Sequence, residues 1–194
     1  MELGVRSRRI DEIVNAAAAL FRRKGYPSST MRELAHDLGM EGGSLYYHVS
    51  GKHELLWLAC LEPIGELVQS ARRILISGGT SRERLEQIIT THVALLANNL
   101  DRVAVFLLDA RHLDDRERAE ILRLRHEYEV TFRQVVAEGV ERGEFIVEDV
   151  QVTSYLLLGM YNWLFQWYSP QARLSAAEIA MLACRLTFAG IAKR

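Results

Sequence analysis

Residues 28–56 read SSTMRELAHDLGMEGGSLYYHVSGKHELL, and this stretch decides the fold. Met31, Leu34, Ala35 and Leu38 recur at i, i+3, i+4 and i+7, which puts them on one face of a helix, while Arg32, Glu33, His36 and Asp37 face away. Ser29 or Thr30 can cap its start, and Glu33, three residues after Thr30, completes a capping box. Gly39 follows the last periodic residue, where a left-handed backbone ends a helix without the steric cost of a Cβ. Met40 then supplies an apolar plug, and Leu45 and Val49 carry the buried stripe into a second short helix. The outward positions of that helix are Gly42, Gly43, Ser44, Tyr46, Tyr47 and His48, and two adjacent tyrosines on so short a helix cannot both be buried.

Two short helices crossing at a glycine turn predict a helix-turn-helix, whose second helix enters the DNA major groove while the first braces against the backbone. The run LGMEGGSLYYHVSGKHELL resembles the signature of TetR-type transcriptional repressors. There a glycine turn precedes a recognition helix containing Leu-Tyr-Tyr-His, and a lysine, here Lys52, opens the next helix. The resemblance implies DNA contact by Thr30, Arg32, Gly42, Gly43, Ser44, Tyr46, Tyr47, His48 and Lys52. Four positions depart from the pattern: Glu41 stands where a Ser or Thr cap is usual, Gly42 where a basic or polar residue is common, and Val49 and His53 replace a Phe and an acidic residue. Glu41 can still accept backbone N–H bonds, but it would lie close to phosphates.

The 194 residues, 49% of them hydrophobic, are enough for a real core, and three prolines with abundant Ala, Leu, Arg and Glu predict an all-α fold. Net charge is −1, and residues 1–56 hold eight Lys or Arg against seven Asp or Glu, so the electrostatic argument for DNA is weak. It is met by placement: Arg6, Arg8 and Arg9 begin the chain and Arg22, Arg23 and Lys24 end the first helix, where a few cations can meet phosphates. Cys60 and Cys184 read as buried thiols in a reducing cytosol. Charges from Arg6 to Glu12 interrupt any signal-peptide core, so a cytoplasmic location is expected. Residues 150–172 carry no charge, yet Gln, Asn, Ser and Thr interrupt them, which argues for a buried helix and against a membrane role.

Nine helices are expected. The first spans about 7–24, then come the two short ones, a fourth from Lys52 bending at Pro63 and ending by Gly78-Gly79, and others over about 82–98, 102–111, 115–142, 148–168 and 175–192. The chain divides into a three-helix helix-turn-helix DNA-binding domain, 1–51, and a helical ligand-binding and dimerisation bundle, 52–194, with the fourth helix as the lever between them. The 148–168 helix is apolar nearly all round and needs cover on two sides, the second being a copy of the same chain. The resemblance makes the last two long helices the dimer interface, with Leu156, Gly159, Met160, Trp163, Trp167, Met181, Cys184 and Phe188 as its residues.

No catalytic constellation is legible, and Ser44 lacks the strand-to-helix elbow of a nucleophile, so an enzyme is not expected. The six histidines offer no i, i+4 pair, so neither a metal nor a cofactor is expected, and the acidic residues around His112 read as solvated charges at a helix end. A pocket between helices is better motivated, with Trp57, Leu61, Phe106, Tyr128, Phe132, Tyr161 and Trp163 as lining. The segments RHEYEVTFRQVVAEGVERGEF and LLGMYNWLFQWYSP resemble the regulatory domains of TetR-type repressors of fatty-acid or aromatic-acid degradation. By that resemblance the effector is an acyl-CoA, with Arg111, Arg123 or Arg125 meeting its phosphates.

The expected function is thus a ligand-responsive repressor that binds a palindromic double-stranded operator as a homodimer and is released by a small apolar or acyl-CoA-type effector. The alternatives are a helical lipid or acyl carrier or enzyme with a vestigial DNA-binding region, and a ligand-independent regulator.

Overall fold

The computed structural model describes residues 2–191, with side chains from Arg8 onward. The Arg6 side chain and the expected helix end at Ala192 lie outside the described residues. Its helices are α1 Glu2–Lys24, α2 Met31–Asp37, α3 Gly42–Tyr46, α4 Lys52–Ile76, α5 Ser81–Asn98, α6 Leu100–Leu108, α7 Asp115–Glu141, α8 Val150–Asn162, α9 Leu164–Trp167 and α10 Ala176–Ile191. A 3-10 turn, Ala110–His112, follows α6, and no strand occurs among the described residues. The expected all-α order is therefore present. Three segments differ in extent: the first helix begins at Glu2 and not near residue 7, the 102–111 helix ends at Leu108 and tightens into the 3-10 turn, and the 148–168 helix breaks at Trp163 into α8 and α9. Among the described residues no helix is long and apolar enough to cross a membrane.

The chain forms two compact units whose limits do not follow the 51/52 boundary read from the sequence. The first holds residues 1–63 and 100–121, so α6 belongs with the helix-turn-helix. Its core is built from Ile13, Val14, Ala17, Leu20 and Phe21 of α1, Leu34 of α2, Leu45 of α3, Leu55 and Leu56 of α4, and Val103 to Val105 of α6. Packing of α6 on α1 is reinforced by Arg102, only 7% exposed, whose guanidinium donates to Asn15 Oδ1 at 2.7 Å and Asp11 O at 3.2 Å and pairs with Glu62. A charge so buried is tolerable only because each of its faces finds an acceptor.

In the helix-turn-helix the sequence signals act as read. Thr30 accepts from the Glu33 N–H at 3.2 Å while the Glu33 carboxylate accepts from the Thr30 N–H at 3.0 Å, closing the capping box. Gly39 takes φ +62°, and the N–H groups of Gly39 and Met40 donate to His36 O and Ala35 O, a Schellman end to α2.

The second unit holds 64–99 and the chain from 122 on. Its core runs through Leu85, Ile88, Ile89, Val93 and Leu96 of α5, Tyr128, Phe132, Val135 and Val136 of α7, Leu158 and Tyr161 of α8, and Ile179, Cys184 and Phe188 of α10. Arg84, 5% exposed, is neutralised by Glu138. After α7 the chain folds back so tightly that a Cβ on Gly139 would lie 2.1 Å from the Phe145 ring.

Candidate functional site

α3 is too short to be stable alone and is held by Leu45 and Val49, both buried, beneath it. Its other face is open. Tyr46 is 56% and Tyr47 78% exposed, the latter with its ring edge-on to His48 at 5.3 Å, and Gly42, Gly43 and Ser44 are exposed beside them. The expected DNA-facing residues Gly42, Gly43, Ser44, Tyr46 and Tyr47 are thus all exposed, with His48 half-buried after them. Thr30 is exposed but occupied by its capping box, and Arg32 is exposed on α2 with no ion pair among the described residues.

Lys52 is already engaged within its own unit. Expected at DNA, its Nζ instead donates to the carbonyls of Tyr26 and Ser29 at 2.9 Å and Pro27 at 3.3 Å, and sits 4.4 Å from the centre of the Tyr26 ring. An ammonium has three N–H donors, and this loop uses them all. The basic end of α1 is spent likewise: Arg22 pairs with Asp101 at 2.9 Å, Arg23 with Asp37 at 3.0 Å, and Lys24 with Glu33. The Lys24 ammonium, with the Thr30 hydroxyl, holds the Glu33 carboxyl below its ordinary range. These pairs were invisible in the sequence because they join positions up to 79 residues apart.

Of the residues expected to line a ligand site, Trp57, Leu61, Phe106 and Arg111 belong to the first unit and Arg125, Tyr128, Phe132, Tyr161 and Trp163 to the second. Tyr128, Phe132 and Tyr161 come together around a residue the sequence reading passed over, His92 of α5. His92 Nδ1 lies 2.9 Å from the Tyr128 hydroxyl and its ring 5.8 Å from that of Tyr161, whose hydroxyl meets Thr187 at 2.6 Å. Burial pushes His92 down to about 4, so the imidazole is neutral. Its signal was available: it falls on the stripe Leu85, Ile88, Ile89, Val93, Leu96. Trp163 does not join this group and is 61% exposed. Arg111 and Arg125 are also exposed, and Arg123 pairs with Glu127 at 3.2 Å.

α8 carries two faces. Ser154, Leu158 and Tyr161 point inward, while Val152, Tyr155, Leu156, Gly159, Met160 and Trp163 form an exposed stripe. Trp167 of α9 and Met181, Leu182 and Leu186 of α10 are exposed too, so six of the eight expected interface residues are available. Cys184 and Phe188 are instead buried within their own chain, Cys184 beside Thr90 and Phe188 against Phe145 and under Arg82. A cavity of about 370 Å³, walled by Val93, Tyr161, Leu164, Trp167, Leu182 and Leu186, opens in the second unit and shares only Tyr161 with the expected ligand set. In the first unit His53, Asp114 and Glu117 cluster within 4.8 Å, but Asp114 caps α7 and His53 Nε2 lies 2.7 Å from Glu117, so helix capping and an ion pair account for them.

A buried helical corner that presents an exposed tyrosine-bearing helix, followed by a second helical unit, defines a DNA-binding regulator of the helix-turn-helix class. Residues 13–57 match the family model described as "Bacterial regulatory proteins, tetR family", and residues 78–191 that described as "Tetracyclin repressor-like, C-terminal domain". The chain belongs to the TetR family of transcriptional regulators. It is 28% identical to the transcriptional repressor KstR2 of Rhodococcus jostii over 96% of this chain and 93% of that one. Among solved structures, the TetR-family regulator PfmR of Thermus thermophilus superposes with a TM-score of 0.84 at 29% identity, covering 92% of this chain and 97% of that one. AibR, solved in complex with isovaleryl coenzyme A and operator DNA, shares the fold at a TM-score of 0.78 and 23% identity, with 92% and 97% covered.

Proposed function

We propose that this chain is a homodimeric repressor that holds a palindromic operator through two copies of α3 and releases it on binding a small apolar or acyl-CoA-type effector. The observation that carries the DNA reading is the pair Tyr46 and Tyr47, 56% and 78% exposed on a helix whose inner face is fully used. Contact is assigned to Gly42, Gly43, Ser44, Tyr46 and Tyr47, with Arg32 and His48 beside them, and Lys52 is reassigned to positioning.

The exposed stripe of α8 and α10 supports a twofold pairing, and a palindromic operator asks for two readers about 34–36 Å apart, one turn of DNA. Repression is supported by the resemblance to KstR2, and an acyl-CoA effector by the coenzyme A thioester seated in AibR. Such an effector acts by preferring the conformer whose readers are wrongly spaced, and a hundredfold preference, about 2.7 kcal/mol, empties an operator near its midpoint. The test is a gel shift with a palindrome from the gene's own upstream region against scrambled DNA, repeated with a panel of CoA thioesters. Equal retention of both DNAs rejects the operator reading, and retention unchanged across the panel rejects the effector.

A further inference from the structure

We infer that Glu41 is a base-reading residue that selects a cytosine within the operator half-site; the inference rests on α3 entering the major groove. Glu41 stands immediately before α3 in extended conformation, φ −70° and ψ 141°, where a side-chain cap is ordinarily found, yet its carboxylate makes no cap hydrogen bond. The side chain is exposed and has neither hydrogen bond nor ion pair among the described residues, while the Glu41 carbonyl accepts from the Ser44 N–H at 2.9 Å. Three of the cations of this unit are spent on other partners, Lys24 on Glu33, Arg23 on Asp37 and Lys52 on loop carbonyls, while Arg32 of α2 makes no ion pair with Glu41.

The two residues that follow clear a path. A Cβ on Gly42 or on Gly43 would meet nothing within 4 Å, and neither has a positive φ, so the fold of the free chain does not require glycine at either place. What their missing side chains provide is a bare leading edge on α3, along which an outside surface can come close and a glutamate can reach.

A free carboxylate in that position is repelled by the phosphates of every DNA sequence alike. Only a donor on a base edge can offset this. In the major groove guanine shows acceptors at N7 and O6, and thymine an acceptor and a methyl group, none of which a carboxylate can use. Adenine N6–H is a donor, but it lies beside the N7 acceptor, which opposes a carboxylate oxygen. Cytosine N4–H is the donor without that neighbour, and it is the partner that glutamate selects.

The experiment is selection from a library with randomised half-sites, followed by affinity measurements on the four single-base variants at each position, for the full chain and for Glu41→Ala and Glu41→Gln. The wild type is expected to require a cytosine at one position of each half-site by about tenfold. Glu41→Ala should lose that preference while binding non-cytosine sites at least as well. Glu41→Gln should move it towards adenine, because an amide can donate to N7 as it accepts from N6. Since the Glu41 carboxylate has no partner in the fold, both variants should melt with the wild type. Identical base profiles for wild type and Glu41→Ala overturn the inference, even if the variant binds all DNA more tightly, since Glu41 is then only an electrostatic brake. If the wild type selects no sequence at all, the operator reading fails with it, and the two failures are distinguishable.

Discussion

Substituting Lys52 by alanine separates two roles that the sequence alone confounds. In the structure Lys52 ties the start of α4 to the loop before α2, through bonds of 2.9, 3.3 and 2.9 Å to three carbonyls and a cation–π contact of 4.4 Å. Hydrogen bonds to a charged group are worth about 1.5–3 kcal/mol each when buried; Lys52 is half-buried and water takes up part of the loss, so about 2 kcal/mol is expected for the set. Lys52→Ala should therefore lower the urea midpoint and weaken operator binding by loosening the corner that presents α3. The slope of log affinity against log salt should stay as in the wild type, because no phosphate contact is removed. A lysine on a phosphate behaves differently: its loss lowers that slope by about 0.9 and leaves folding alone. Urea unfolding followed by circular dichroism, together with operator titrations at several salt concentrations, reads both quantities. An unchanged midpoint with a flattened salt slope would refute the positioning role.

Four further outcomes follow from the geometry. Tyr47→Ala should weaken operator binding by about 1–3 kcal/mol with the melting curve unchanged, and normal operator affinity would remove Tyr47 from the reader. Trp163→Arg places a charge in the exposed apolar stripe of α8 and should give monomers or aggregate in sedimentation; an unaltered profile counts against the α8 interface. Gly139→Ala should destabilise by about 1–3 kcal/mol, because its Cβ meets the Phe145 ring at 2.1 Å, and the same substitution should cost less in a Phe145→Ala background; no shift in midpoint would mean that the ring swings away freely. His92, held neutral at about 4 against about 6.5 in the unfolded chain, gives stability that is whole above 6.5 and falls as pH drops towards 4, by about 3 kcal/mol in all. Replacement by Phe should flatten that part of the stability–pH curve, and a variant with the wild-type slope would assign the acid sensitivity elsewhere.

The fold was legible wherever the signal is local. The capping box of Thr30 and Glu33, the left-handed Gly39 and the i, i+4 stripe of α2 are each written within a few residues, and each appears as read. The break at Trp163 was not legible, since Asn162-Trp163-Leu164 contains neither proline nor glycine. Nor was the membership of α6 in the first unit: that depends on Arg102 reaching Asn15 and Glu62, a pairing across 87 and 40 positions for which periodicity offers no sign.

The candidate site was half legible for a related reason. Exposure of a side chain on a short helix follows from which neighbours it must bury, so Leu45 and Val49 going inward forced Tyr46 and Tyr47 outward, and the sequence could say so. Whether a polar group is free to act on a partner is a different question, decided by whether its donors are already spent. Lys52, Arg22, Arg23 and Lys24 all looked like cations ready for phosphate, and all four hold acceptors within their own unit. Glu41 looked like a cap and caps nothing. On the proposed reading, with Lys52, Arg22, Arg23 and Lys24 committed, specificity comes from tyrosine hydroxyls, from a backbone bared by Gly42 and Gly43, from Arg32 and from one unpaired carboxylate. That inverts the usual division in which phosphate contacts supply most of the grip and base contacts only the choice.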